Sequence, residues 1–138
     1  MPHPPRSATT AKSPRTPSRT PLAQLHLRIH LGPEVALGPG KADLLEGIDA
    51  TGSIAAAGRR LGMSYKRAWV LVDTMNACFR TPLVAAAKGG KTGGGAMLTP
   101  LGAKVLTAYR QIQERAAHAV AQDISRLRRH LLRSPRRI

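Results

Sequence analysis

A glycine and a serine with one residue between them, Gly62-Met63-Ser64, constrain this 138-residue chain more than any other feature. Ser53 can cap a short helix that holds Ile54, Ala57 and Leu61, and Gly62 best tolerates the left-handed conformation that closes it. Ser64 can at once cap a second helix, in which Ala68, Leu71, Val72, Met75 and Phe79 form an apolar stripe at helical spacing. Two short helices joined by almost no linker make a helix-turn-helix. Gly58 and Gly62, four apart, with Ala68 beyond them, supply the small residues needed for a close crossing.

The flanks fill in around this pair. Leu25, Leu27, Ile29 and Leu31 alternate with His26, Arg28 and His30, the period of a strand with one buried face, which Gly32-Pro33 ends. Val35 to Leu37 is a second extended piece. Gly38-Pro39-Gly40 turns the chain into a helix with Leu44, Leu45 and Ile48 on one face, stopped by Gly52. After Thr81-Pro82, two apolar stretches at 83–87 and 96–99 flank a glycine-rich basic loop and read as a β-wing. Thr99 or Pro100 opens a helix expected to run to Leu132, about 50 Å at ~1.5 Å per residue, before Ser134-Pro135 ends it. Its Leu101, Val105, Ala108, Ile112, Ala116 and Ala119, continued by Val120, Ile124, Leu127 and Leu131, form a seam for a partner helix.

Charge identifies the class of partner. Lys and Arg total 22 against 7 Asp and Glu, a net +15. Residues 1–22 carry +4, 23–99 carry 9 − 5 = +4 and 100–138 carry 9 − 2 = +7, so both ends are basic. An acidic polymer is the natural ligand. Residues 1–22 read as a disordered basic arm rich in Pro, Ser and Thr, 23–133 as the folded domain including the long helix, and 134–138 as a basic tail. The arm can also track phosphates or a minor groove. A transit peptide fits poorly, because five prolines in the first 17 residues oppose an amphipathic helix. No apolar run approaches the ~18 residues of a membrane span and no hydrophobic signal core follows the N-terminus, so the expectation is a cytoplasmic, nucleoid-associated chain without a membrane partner.

Catalytic chemistry finds no support. Cys78 alone excludes an internal disulfide and a thiolate-rich zinc site, and its place before Phe79 favours packing over reactivity. His26 and His30 would stand ~13 Å apart on a strand, too far to share an ion. Gly90-Lys91-Thr92 suggests a phosphate loop, but Ala85 sits where that motif needs glycine and no helix starts at the lysine. The reading is therefore no catalytic residues, no metal and no cofactor.

Double-stranded DNA is the expected partner. Ser64, Tyr65, Lys66 and Arg67 form the first turn of the second helix, the end that enters the major groove in helix-turn-helix proteins. Arg67 can fork onto guanine, and Lys66 suits guanine or phosphate. Arg59 and Arg60 are placed on phosphates, and Ser53 joins the DNA-binding set at the start of their helix. Lys88, Lys91 and Thr92 at the wing tip offer a flank contact. Trp69 can plug the core or lie against backbone sugar, and its place beside Ala68 favours the core.

Residues 51–76, TGSIAAAGRRLGMSYKRAWVLVDTMN, and 88–102, KGGKTGGGAMLTPLG, closely resemble the N-terminal winged helix-turn-helix domain of the ModE family of molybdate-responsive transcription regulators. The resemblance covers about residues 23–120 and includes Gly38-Pro39-Gly40-Lys41-Ala42 and Met75-Asn76. It implies a homodimer held by long helices, base readout by Ser64, Tyr65, Lys66 and Arg67, and a wing contact from Lys88, Lys91 and Thr92. Family members also carry C-terminal molybdate-binding domains. This chain ends in an arginine-rich tail where they would begin, so the expectation is a stand-alone form to which molybdate sensing does not carry over, and which regulates constitutively, recruits a separate effector-sensing protein or responds to something else.

The fold expected is mainly α with a small β-wing, a winged helix-turn-helix with a long C-terminal dimerisation helix. The function expected is that of a sequence-specific transcriptional regulator of the ModE/LysR-like type, binding a pseudo-palindromic operator as a dimer. The rival is a low-specificity, nucleoid-type architectural protein.

Overall fold

A computed structural model of the chain describes residues 25–87 and 95–136. The N-terminal arm, the wing tip at 88–94 with Lys88, Lys91 and Thr92, and the last two residues lie outside the described residues. Residues His26–Val120 form one unit, and Ala121 onward belongs to a second.

Within the first unit, β1 (Ile29–Gly32) and β2 (Val35–Leu37) form an antiparallel hairpin. The strand expected from residue 25 is thus shorter. Its register slips between His30 and Gly32, which turns Leu31 outward at 55% exposure against the simple alternation. The hairpin leads into α1 (Pro39–Thr51), with proline in its first turn and Leu44, Leu45 and Ile48 fully buried. Gly52 ends α1 at φ 73°. Such a left-handed C-cap suits a residue with no Cβ.

The helix-turn-helix consists of α2 (Ile54–Arg60) and α3 (Tyr65–Cys78). Ser53 Oγ accepts the Ala56 N–H at 3.0 Å and Ser64 Oγ accepts the Arg67 N–H at 3.1 Å, so both predicted caps are made. Gly62 stands at φ 72° in the turn. It is not a packing residue, since a Cβ there would meet nothing within 4 Å. Gly58 does carry the crossing, where a Cβ would come within 3.0 Å of Ala68 Cβ, and Gly47 plays the same part against Ala57.

Beyond α3, β3 (Val84–Ala87) and β4 (Gly95–Leu98) pair antiparallel from Val84↔Leu98 to Ala87↔Gly95, the wing. Helix α4 (Pro100–Ala119) follows, capped by Thr99 Oγ1, which accepts the Gly102 N–H at 3.0 Å. The main core joins Leu44, Leu45 and Ile48 of α1, Ile54 and Ala57 of α2, Ala68, Val72 and Met75 of α3, and Leu83, Val84 and Ala96 at the wing. Each large aliphatic side chain buried there contributes roughly 1.5–3 kcal/mol. A satellite core sets Tyr109 of α4, 1% exposed, against Leu37 and Ala42. Its hydroxyl donates to the Leu27 carbonyl at 2.6 Å. Burial pushes the phenol above its usual range against the opposing charge of Arg110, with Asp43 adding to the rise. The next residue, Arg110, bonds Asp43 at 2.8 Å and also Glu46 on α1. Burial disfavours its charge, but those two carboxylates outweigh that cost and raise its pKa.

The single helix expected over residues 100–132 is two helices. α4 ends at Ala119, Val120 leaves helical geometry at φ −108°, ψ 10°, and α5 (Ala121–Arg128) begins next. The β-branched Val120 is a weak helix former, and no residue of α4 after Tyr109 is buried to hold the helix straight. From Arg129 to Leu131 the backbone N–H groups bond three residues back, a tightened helix end. Leu101 and Val105 are also reassigned from the seam, since they pack on the main core of their own domain.

The architecture is mainly helical with a small β-wing, a winged helix-turn-helix.

Candidate nucleic-acid interface

The first turn of α3 stands free of the core. Ser64, Tyr65, Lys66 and Arg67 are all exposed, while Ala68, Val72 and Met75 bury the opposite stripe. No acid lies in that turn, and its unsatisfied N–H groups add a partial positive charge that favours an anion. Ser64 uses a lone pair in its cap and keeps its hydroxyl proton for an outside acceptor. Ser53 does the same at α2, half-buried. Arg59 and Arg60 are exposed in the last turn of α2, where cations also complement the helix carbonyls. Ser53 and Tyr65 line one cleft, with Trp69, whereas Arg60 lines another beside Asp43 and Glu46 of α1, so the structure does not bring all the described site residues together.

Trp69 departs from its expected place. It is 40% exposed, and its ring meets Tyr65 edge-on at 6.1 Å between centroids, with 70° between planes. One step of about 100° from Ala68 carries the side chain off the buried stripe. Tyr65, Trp69 and Asp73, spaced by four, instead line a cleft of about 460 Å³ between α3 and the wing strands.

Two residues hold the wing in place in a way the sequence did not show, Asn76 and, besides its expected part at the start of α4, Thr99. Asn76 Oδ1 accepts the N–H groups of Leu83 at 2.8 Å and Val84 at 3.1 Å, and its Nδ2 donates to Val84 O at 3.1 Å. The available signal was a carboxamide beside the apolar stripe, four residues after Val72. Thr99 Oγ1 donates to Pro82 O at 2.7 Å while its own N–H donates to Leu83 O at 2.9 Å. A Cβ on Gly102 would collide with that Leu83 carbonyl. Across the wing, the Ala96 N–H donates to Gly52 O at 2.9 Å. Side-chain and backbone bonds thus fix the wing strands to the helices on either side.

Among the described residues no group of three or more His, Cys, Asp or Glu could hold a metal, and no helix is long and apolar enough to cross a membrane. Cys78 is half-buried at the end of α3.

No protein-family model matches the sequence. Among curated proteins, the chain is 51% identical over 77 residues to the molybdenum-pterin-binding protein MopB of Rhodobacter capsulatus, an alignment covering 56% of this chain and 28% of MopB. It is 36% identical over 104 residues to the DNA-binding transcriptional dual regulator ModE of Escherichia coli K12, covering 73% of this chain and 40% of ModE. The matched part is therefore well under half the length of either relative. Among solved structures, the DNA-binding domain in the CbnR–DNA complex superposes with a TM-score of 0.50 at 23% identity, covering 66% of this chain and 97% of that domain. Over most of its length the chain is homologous to ModE and the molybdenum-pterin-binding proteins, and the domain it shares with them has the fold of a winged helix-turn-helix DNA-binding domain.

Proposed function

We propose that the chain is a transcriptional regulator that binds a pseudo-palindromic DNA operator as a homodimer, without catalytic activity of its own, in the cytoplasm at the nucleoid. The observation that carries this reading is the exposed, acid-free first turn of α3, with Lys66 and Arg67 on a winged helix-turn-helix homologous to part of a DNA-binding regulator. Ser64, Tyr65, Lys66 and Arg67 face base edges in the major groove. Ser53, Arg59 and Arg60 hold phosphates and set register, and Lys88, Lys91 and Thr92 of the wing contact the flank. The α4 helices pair through the exposed face that includes Ala108 and Ile112, which places two reading helices about one helical turn, ~34 Å, apart.

Selection of bound sequences from a random duplex pool at physiological salt, with and without molybdate, tests this directly. A two-fold-related motif is expected, and its sharpening by molybdate would reveal an oxyanion site in the chain. A steep salt slope without any enriched motif would replace the regulator with a nucleoid-type architectural protein. On the selected duplex, Arg67→Ala should cost ~1–3 kcal/mol and relax one base position. An equal loss on random DNA would remove Arg67 from base readout.

A further inference from the structure

We propose that the cleft between α3 and the wing is the seat of one DNA strand, with the indole of Trp69 packed against its deoxyribose. The inference rests on the DNA-binding reading and adds a contact that sequence-specific readout does not require.

The geometry of the duplex gives the first reason. A helix in the ~12 Å major groove and a wing on the adjacent flank lie on opposite sides of the strand that separates the two grooves. That strand has to pass between them. In this chain the space between α3 and the β3–β4 pair is an open cleft of about 460 Å³. Its wing wall consists of small residues, including Ala85, Ala86 and Gly95, which leave room for a backbone. Its helix wall carries Tyr65 and Trp69, whose rings meet edge-on.

The chemistry of the lining gives the second. A deoxyribose presents an apolar face to an indole, as sugars do to aromatic rings generally, while its phosphates need cations at the margin. Among the described residues no Lys or Arg lines the cleft itself; Lys66, whose point charge suits phosphate as well as a base edge, stands next to Tyr65 in the first turn of α3. Asp73, the acid in the cleft, lies one turn of α3 beyond Trp69, so phosphate is favoured at the Tyr65 end and disfavoured at the other. The 40% exposure of Trp69 at the edge of a mainly apolar cleft is accounted for by this occupant.

Trp69 is the only tryptophan of the chain, so its emission reports this cleft alone. The full chain is titrated with a mixed-sequence duplex of roughly 20 base pairs, about two helical turns, while complex formation is followed by gel shift and Trp69 accessibility by acrylamide, a neutral quencher. Acrylamide quenching should fall about twofold or more, with the same midpoint as the gel shift. Trp69→Ala should weaken binding about five- to tenfold on random and selected duplexes alike, whereas Trp69→Phe should keep most of the affinity. A duplex that shifts the protein while Trp69 stays as accessible as in the free chain overturns the seat and leaves the DNA-binding reading standing. No complex with any duplex overturns that reading and the seat with it.

Discussion

The two halves of α4 have similar apolar spacing and opposite surroundings. Up to Arg110 the helix is held on every side that matters: Leu101, Val105 and Leu106 pack on the domain, Tyr109 is buried, and Arg110 is bonded to α1. Two residues later Ile112 is 44% exposed, and no residue of α4 beyond Tyr109 is buried. Periodicity tells which residues share a face. It does not tell what covers the face. In the first half the cover is the chain's own core, and in the second the stripe has no cover among the described residues of its unit.

Three substitutions would break or sharpen that contrast. The largest effect belongs to Gly102→Ala in the first half, where the added methyl strikes the Leu83 backbone. Backbone cannot swing aside as a long side chain can, so we expect a loss of about 3 kcal/mol or more and a fall of at least ~10 °C in Tm, read by thermal unfolding. An unchanged Tm would mean that α4 slides freely over the wing root. Next comes Tyr109→Phe, which leaves the ring in place but deprives the Leu27 carbonyl of its donor, for a loss of ~1 kcal/mol. The phenol also gives this substitution a pH signature. Its folded pKa lies above the ordinary value of 10.0, so the neutral form is favoured in the fold. The stabilisation is complete below pH 10.0 and disappears as pH climbs through the raised value, because the native state then holds a proton that the unfolded chain has released. Urea midpoints measured from neutral to strongly alkaline pH should fall less steeply in Tyr109→Phe than in the parent. Smallest for the fold is Ile112→Glu in the second half, expected within ~0.5 kcal/mol for the isolated domain. Its effect should appear in assembly: the proposed dimer should sediment as monomer. A variant that still sediments as a dimer would move the interface away from this stripe.

Legibility from sequence followed the range of the interactions. The helix-turn-helix is written within 26 residues, in two serine caps, a left-handed glycine and a Gly–Ala crossing, all of them local or nearly so. Asn76 could be read only as a polar residue beside an apolar stripe, because its partners, Leu83 and Val84 at the entry to β3, come back to it only after the turn at Thr81-Pro82. Tyr109 was still less accessible, since its acceptor lies 82 positions away. Trp69 was placed one residue out of phase, and one step on a helix is enough to exchange core for surface. The break at Val120 had no local marker as strong as glycine or proline. It falls about three turns past Tyr109, the last buried residue of α4, in a stretch that no burial supports, and burial is a property of the whole fold.

The bond from the Ala96 N–H to the Gly52 carbonyl uses main-chain atoms at both ends. The separation between the wing and the junction of α1 with α2 is therefore set by a ruler that no side chain supplies. Residues facing outward from β3 and β4 can change identity while that spacing stays constant, so the surface proposed to meet DNA can diverge without displacing the wing.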